Sequence, residues 1–169
     1  MYSEALEIYK RLAKSNPQAY EPYVATTLNN LALLYSVTQR FNESEKMYSE
    51  ALEIRKRLAK NNPQVYNSKL ASTLGGLAYC EIFLKNYYAA EQYAREGILT
   101  DHTLHFIYTH LAAALLFQGK YEEAEQIYQQ YKVELKDSFL DDFNQFERTG
   151  VIPKEYEEDV EKIKHILNE

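Results

Sequence analysis

The stretch MYSEALEIYKRLAKSNPQAY, from Met1, returns at Met47 as MYSEALEIRKRLAKNNPQVY, with seventeen of twenty positions identical. Repetition at a fixed interval is the mark of a chain built from stacked units, each of which leaves an apolar face for its neighbour to cover. The register continues: VATTLNNLALLY from Val24 aligns with LASTLGGLAYCE from Leu70, again 46 residues on. A third, weaker copy follows, since FNESEKMYSEAL from Phe41 matches YYAAEQYAREGI from Tyr87 and YEEAEQIYQQYK from Tyr121, at intervals of 46 and then 34.

Within each copy large residues recur three and four apart, and no stretch alternates with period two, so the chain reads as all-α. Turn signals divide each unit into helices A and B: Thr38-Gln39-Arg40, Lys85-Asn86 and Gln118-Gly119-Lys120. Units are separated by Asn16-Pro17 and Asn62-Pro63, where the residue before proline leaves the helical region and proline suits the first turn of the next helix. The pattern predicts helices near 2–15, 18–38, 42–61, 64–84, 87–100, 103–117, 121–135, 137–147 and 154–168. The twelve extra residues of the longer units, if helical, add about 18 Å shared between one helix B and the next helix A, with Asn-Pro at the tip of a tall hairpin.

Composition excludes several classes. With 46% apolar residues among 169, the chain can bury a sizeable core. One cysteine, Cys80, allows no internal disulfide framework, and its place in an apolar helical stretch reads as a buried small side chain. No apolar run is long enough to span a membrane and the opening residues are charged throughout, so a cytoplasmic location is expected. Residues 1–136 hold 15 basic and 15 acidic side chains, and residues 137–169 hold 4 and 10. The basic run Arg55-Lys56-Arg57 is offset by Glu50 and Glu53 at helical spacing, which argues against nucleic acid as a partner. Neither G-x-S-x-G nor a phosphate loop is present, and Gly75-Gly76 lie mid-helix, where they permit close backbone approach or widen a groove. His102 and His105 with Asp101 read as a helix start capped by Asp101, so neither a metal, a cofactor nor an enzymatic activity is expected.

The helix pattern resembles the tetratricopeptide repeat. Leu28, Leu31, Ala32 and Tyr35 match its helix A, and Phe41, Ser44, Tyr48 and Ala51 its helix B. Leu74, Leu77, Ala78, Tyr87, Ala90, Ala94 and Gly97 follow in the second copy, with Glu81 where tyrosine is usual. Tyr108, Leu111, Ala112, Tyr121, Ala124 and Tyr128 follow in the third, together with the turn glycine Gly119. TLNNLALLY and EALEIRKRL narrow the resemblance to the longer repeats of kinesin light chains and related bacterial arrays. In those, a helix-A asparagine hydrogen-bonds a bound peptide's backbone, and Asn30 stands at the matching place, whereas Gly75-Gly76 replace Asn29-Asn30 in the second copy. The helix-A lysines that clamp peptide carboxylates in chaperone-binding members are absent.

The resemblance implies a right-handed superhelix over residues 1–136, with a half repeat at 1–17 and repeats at about 18–62, 63–101 and 102–136, capped by helices in 137–169. It implies a protein or peptide partner bound on the concave face, for which the candidate residues are Asn29, Asn30, Leu33, Tyr79, Phe83, Phe106, Thr109, His110 and Phe117. The alternative is a regulatory fragment of a larger protein, whose repeats dock another domain of the same chain. Laying Met1 on Met47 places the chain's start inside a helix B whose own helix A is missing. Tyr2, Ala5, Leu6, Ile8, Tyr9 and Leu12 are then expected to leave an apolar face that pairs two copies as a homodimer.

Overall fold

The computed structural model describes residues 2–169, so the half repeat expected at 1–17 is described from Tyr2 onward. Among the described residues there are eight α-helices, one short 3-10 turn and no strand. They are α1 (Tyr2–Ser15), α2 (Pro17–Val37), α3 (Phe41–Asn61), α4 (Pro63–Phe83), α5 (Tyr87–Thr100), α6 (Phe106–Leu116), α7 (Tyr121–Thr149) and α8 (Glu157–Asn168), the turn being Lys154–Tyr156. Pro17 and Pro63 open α2 and α4, and the Asn16 side chain accepts the Ala19 N–H at 3.2 Å. Both Asn-Pro steps therefore bend the chain without a loop. The extra length is helical: α2, α3 and α4 each run 21 residues, against 14 for α5 and 11 for α6.

The three turns between helices A and B are superimposable in their bonding. Arg40 N–H donates to Tyr35 O at 2.8 Å, Asn86 to Glu81 at 2.8 Å and Lys120 to Leu115 at 3.0 Å. Each closure needs one residue with positive φ: Gln39 (59°), Lys85 (62°) and Gly119 (73°). Only the third copy puts glycine there, and it needs glycine twice over, because a Cβ on Gly119 would also lie 2.7 Å from the Tyr156 hydroxyl.

Helix α7 is the one element whose path departs from its outline. Residues Tyr121–Thr149 are helical on both sides of a reversal, since the Tyr128 ring lies 4.7 Å from that of Phe139 and 5.6 Å from that of Phe143. Eleven residues of straight helix span about 16 Å, so α7 folds back between these rings. The two helices expected over 121–135 and 137–147 are thus the two arms of one continuous element. The second arm presents Phe139, Phe143 and Phe146 to the third repeat, all buried, and Val160, Ile163 and Leu167 of α8 are buried in the same cluster. These capping helices close the C-terminal end.

Two local expectations are corrected. Helix α6 begins at Phe106 rather than near 103, because Asp101 turns its carboxylate onto the Thr103 N–H at 3.0 Å and hydroxyl at 2.6 Å, making a separate turn before the helix. Nor are the basic residues of α3 offset within their own helix. Lys56 pairs with Glu96 at 3.0 Å and Arg57 with Glu21 at 2.8 Å, across units, while Arg55 is buried. The pair Lys10–Glu50 at 2.5 Å is the Lys56–Glu96 bridge shifted by one repeat.

Candidate functional site

The A helices α2, α4 and α6 line a cleft of about 510 Å³. From α2 come Asn29, Leu33, Ser36 and Val37, one stripe at spacings of three and four. From α4 come Ser72, Gly76, Tyr79 and Phe83, and from α6 Phe106 and His110. Phe41 and Tyr48 of α3 form the floor, and the second arm of α7 supplies Gln145, Arg148 and Thr149 as an end wall.

Local sequence explains the shape. A Cβ on Gly76 would sit 2.5 Å from the Tyr48 ring, so glycine there lets the ring lie flat against α4. A Cβ on Gly75 would meet the Phe106 ring at 2.8 Å. The glycine pair therefore seats one aromatic ring on each side of α4, which is the close approach expected of it. Phe41 stacks on Phe83 at 4.3 Å and Tyr79 tilts against Phe83 at 4.8 Å, continuing the aromatic lining. The Tyr79 hydroxyl donates to Gln145 Oε1 at 2.5 Å, and Phe83 meets Phe146 at 5.4 Å, which ties the end wall to α4.

Six of the nine candidate residues line this cleft: Asn29, Leu33, Tyr79, Phe83, Phe106 and His110. Asn30 is exposed and stands about 100° around α2 from Asn29, off the lining stripe. It is Asn29 that faces inward, its Oδ1 accepting from Arg55 Nη1 at 3.0 Å and Thr73 Oγ1 at 3.1 Å. Thr109 and Phe117 are buried away from the cleft because the second arm of α7 covers them. Asp142 hydrogen-bonds Thr109, and Phe146 packs edge-on to Phe117 at 5.4 Å. The end-wall residues Gln145, Arg148 and Thr149 were outside the candidate set. Their only sequence signal is position: they sit beside the Phe139, Phe143, Phe146 stripe that docks the arm.

The electrostatics of the cleft are uneven. His110 is only 8% exposed, and its Nδ1 has no hydrogen-bond partner. Burial lowers its pKa to about 4, against a smaller opposing effect from the Gly75 backbone, so the ring is neutral near pH 7. Burial likewise raises Tyr79 beyond its ordinary range and holds Asp142 up at about 6, despite the Thr109 hydrogen bond. Arg148 is the one ionised side chain among the lining residues. Arg55, behind Asn29, is a buried guanidinium that donates to Asn29, Thr73 and the Lys69 carbonyl rather than to a carboxylate, and burial lowers its pKa to about 10.

Other polar clusters are structural. Ser44 links Ser36 (2.7 Å), the Ala32 carbonyl (2.8 Å) and Cys80 (3.1 Å), and burial pushes the Cys80 thiol up. Glu81, in the usual tyrosine place, is buried with Asn86 donating to it at 2.8 Å. His105 pairs with Glu134 at 2.5 Å, and among the described residues no three His, Cys, Asp or Glu side chains gather to hold a metal ion. Among the described residues no helix is long and apolar enough to cross a membrane.

Stacked helical hairpins whose A helices enclose a cleft define a helical-repeat array. The tetratricopeptide repeat family model matches residues 24–64 and 107–130, so these two segments of the chain are similar to tetratricopeptide repeats. The second copy, with Gly75-Gly76 and Glu81, lies outside both matched segments. No curated protein matches the chain. Repeats of this family mediate protein–protein interaction as non-catalytic scaffolds.

Proposed function

We propose that this protein is an interaction scaffold that receives a segment of a partner protein in the cleft between α2, α4 and α6. The observation that carries the reading is the concentration of exposed apolar groups among its lining residues, Leu33, Val37 and Phe106. Such a preformed apolar groove with a few directed polar groups is how helical repeats hold peptide segments. Nucleic acid is not the ligand proposed, because Lys10, Lys56 and Arg57 are tied to Glu50, Glu96 and Glu21 rather than gathered into a basic stripe. The test is affinity capture with wild type, Leu33→Glu and, as control, Val133→Glu on the outer surface. Partners lost only with Leu33→Glu support the cleft; the same partners retained by all three contradict it.

Self-association through α1 is proposed on the exposed Tyr2 and Ile8, beside the Tyr9–Tyr23 stack at 5.3 Å. Sedimentation equilibrium should show a dimer that Ile8→Glu abolishes. A monomer at every concentration removes α1 as an interface.

A further inference from the structure

Helix α3 has two apolar sides, each with its own cover. Tyr48, Leu52 and Ala59 pack with Leu70, Leu74, Leu77 and Cys80 of α4. Ala51 and Ile54 pack with Val24, Ala25, Leu28 and Leu31 of α2, and Leu58 lies against the same cluster. The α2 side also has a direction. Helices α2 and α3 form a hairpin, and Arg57 near the end of α3 donates to Glu21 near the start of α2 at 2.8 Å.

Helix α1 carries the same two sides. The sequence changes between the two copies, at Tyr9, Ser15 and Ala19, leave Ala5, Ile8, Arg11 and Leu12 identical to Ala51, Ile54, Arg57 and Leu58. One side is in use, since Leu6 and Ala13 pack in the cluster that contains the α2 core. The other side has no cover among the described residues. Ile8 is 47% exposed where Ile54 is 8%, and Ala5 is half-buried where Ala51 is fully buried. Arg11 is exposed, with no counterpart of Glu21 beside it among the described residues.

What such a face binds is shown one repeat later, by α2. Counted from Glu21, α2 brings Val24, Ala25 and Leu28 at three, four and seven residues, all buried. A second copy of α1 repeats that pattern only in part: counted from Glu4, it has Glu7 and Arg11 where α2 has Val24 and Leu28. The apolar stripe supplies the affinity of such a contact, and the ion pair, lying at its exposed edge, sets direction more than strength.

We propose that the uncovered side of α1 docks an amphipathic helix of another protein, antiparallel to α1, in which an acidic residue is followed at three, four and seven places by apolar residues, the second of them small. Its carboxylate meets Arg11 and its stripe covers Ala5, Ile8 and Leu12, as α2 covers α3. This rests on the reading of α1 as an interface, and the helix competes with a second copy for one face.

The probe is a fluorescein-labelled peptide with the sequence of residues 17–38, titrated with the full chain and read by anisotropy. It should bind saturably. Ile8→Glu, at an exposed position, should weaken it about tenfold or more, because a carboxylate is then forced against the apolar stripe. Arg11→Glu should weaken it about two- to fivefold, the range of an exposed ion pair, and a peptide carrying Glu21→Lys should recover that loss. No saturable binding, or binding that Ile8→Glu leaves unchanged, overturns the proposal. An Arg11→Glu loss that the Glu21→Lys peptide does not recover overturns the antiparallel placement. Sedimentation equilibrium with and without peptide separates the two occupants. A dimer that Ile8→Glu abolishes, in a protein that binds no peptide, keeps self-association and overturns this inference. Peptide binding by a protein that is monomeric without it keeps this inference and removes self-association.

Discussion

Helices α1 and α3 are nearly the same sequence in two settings. Helix α3 lies between two A helices, α2 and α4, whereas α1 packs on α2 and reaches α3 through Lys10–Glu50. Tyr48 is 5% exposed and its counterpart Tyr2 44%; Ile54 is 8% exposed and Ile8 47%. The one substitution that changes chemical character shows the same difference. Tyr9 stacks on Tyr23, and one repeat later Arg55 bonds the carbonyl of Lys69, the residue equivalent to Tyr23. With α4 beside it, Arg55 also finds Thr73, and with α2, Asn29. An identical side chain thus acquires its energetic weight from the neighbouring repeat, as expected where stability is a sum of unit and interface contributions.

The largest effect expected from this contrast is in paired truncations. Ile54→Ala should cost about 2–4 kcal/mol in urea unfolding, the range for emptying a packed aliphatic site, and Ile8→Ala about 0.5 kcal/mol or less. Equal costs would show that the two helices are buried alike. Next comes the ring seat. Gly76→Ala should destabilise by about 1–3 kcal/mol, because the added methyl meets the Tyr48 ring. At the equivalent place in the first copy, Asn30→Ala should stay within about 0.5 kcal/mol. If both are neutral, the Tyr48 seat is softer than described.

The turns sharpen the comparison from the other side. Gln39→Gly and Lys85→Gly should each stabilise by about 1 kcal/mol, relieving a left-handed residue that bears a side chain. Gly119→Ala should destabilise, since strain and the Tyr156 hydroxyl oppose it together. Thermal melts of the three variants check the signs, and a loss in Gln39→Gly would contradict the shared turn geometry. The smallest effect concerns Arg55. Arg55→Met should leave stability unchanged or slightly higher, because no buried carboxylate loses its partner and Thr73 keeps its own bonds to Asn29 and Lys69. A marked loss would mean that the guanidinium network holds α2, α3 and α4 together.

Much of the architecture was legible locally. The Asn-Pro steps, the three turns and the apolar stripes each write their geometry within a few residues, and the repeat register aligned Tyr35 with Glu81 before any contact was known. What was not legible depends on contacts distant in sequence. The spacing of Phe139, Phe143 and Phe146 shows that the last arm docks, but not that docking buries Thr109 and Phe117 and brings Arg148 to the cleft. Asn29 and Asn30 differ by one residue, about 100° of helix rotation, and the neighbouring Arg55 and Thr73 show which of them turns inward. The start of α6 was obscured because Asp101 serves a turn of its own rather than the helix end.

The central claim, that the cleft between α2, α4 and α6 is the binding surface, is tested most directly by site-specific photo-crosslinking. A photoreactive amino acid replaces Leu33 in one protein and Val133 in another, and each is irradiated in extract. The account predicts a discrete adduct from position 33, suppressed by excess unlabelled protein, and none from position 133. The same adduct from both positions, or from position 133 alone, would contradict it.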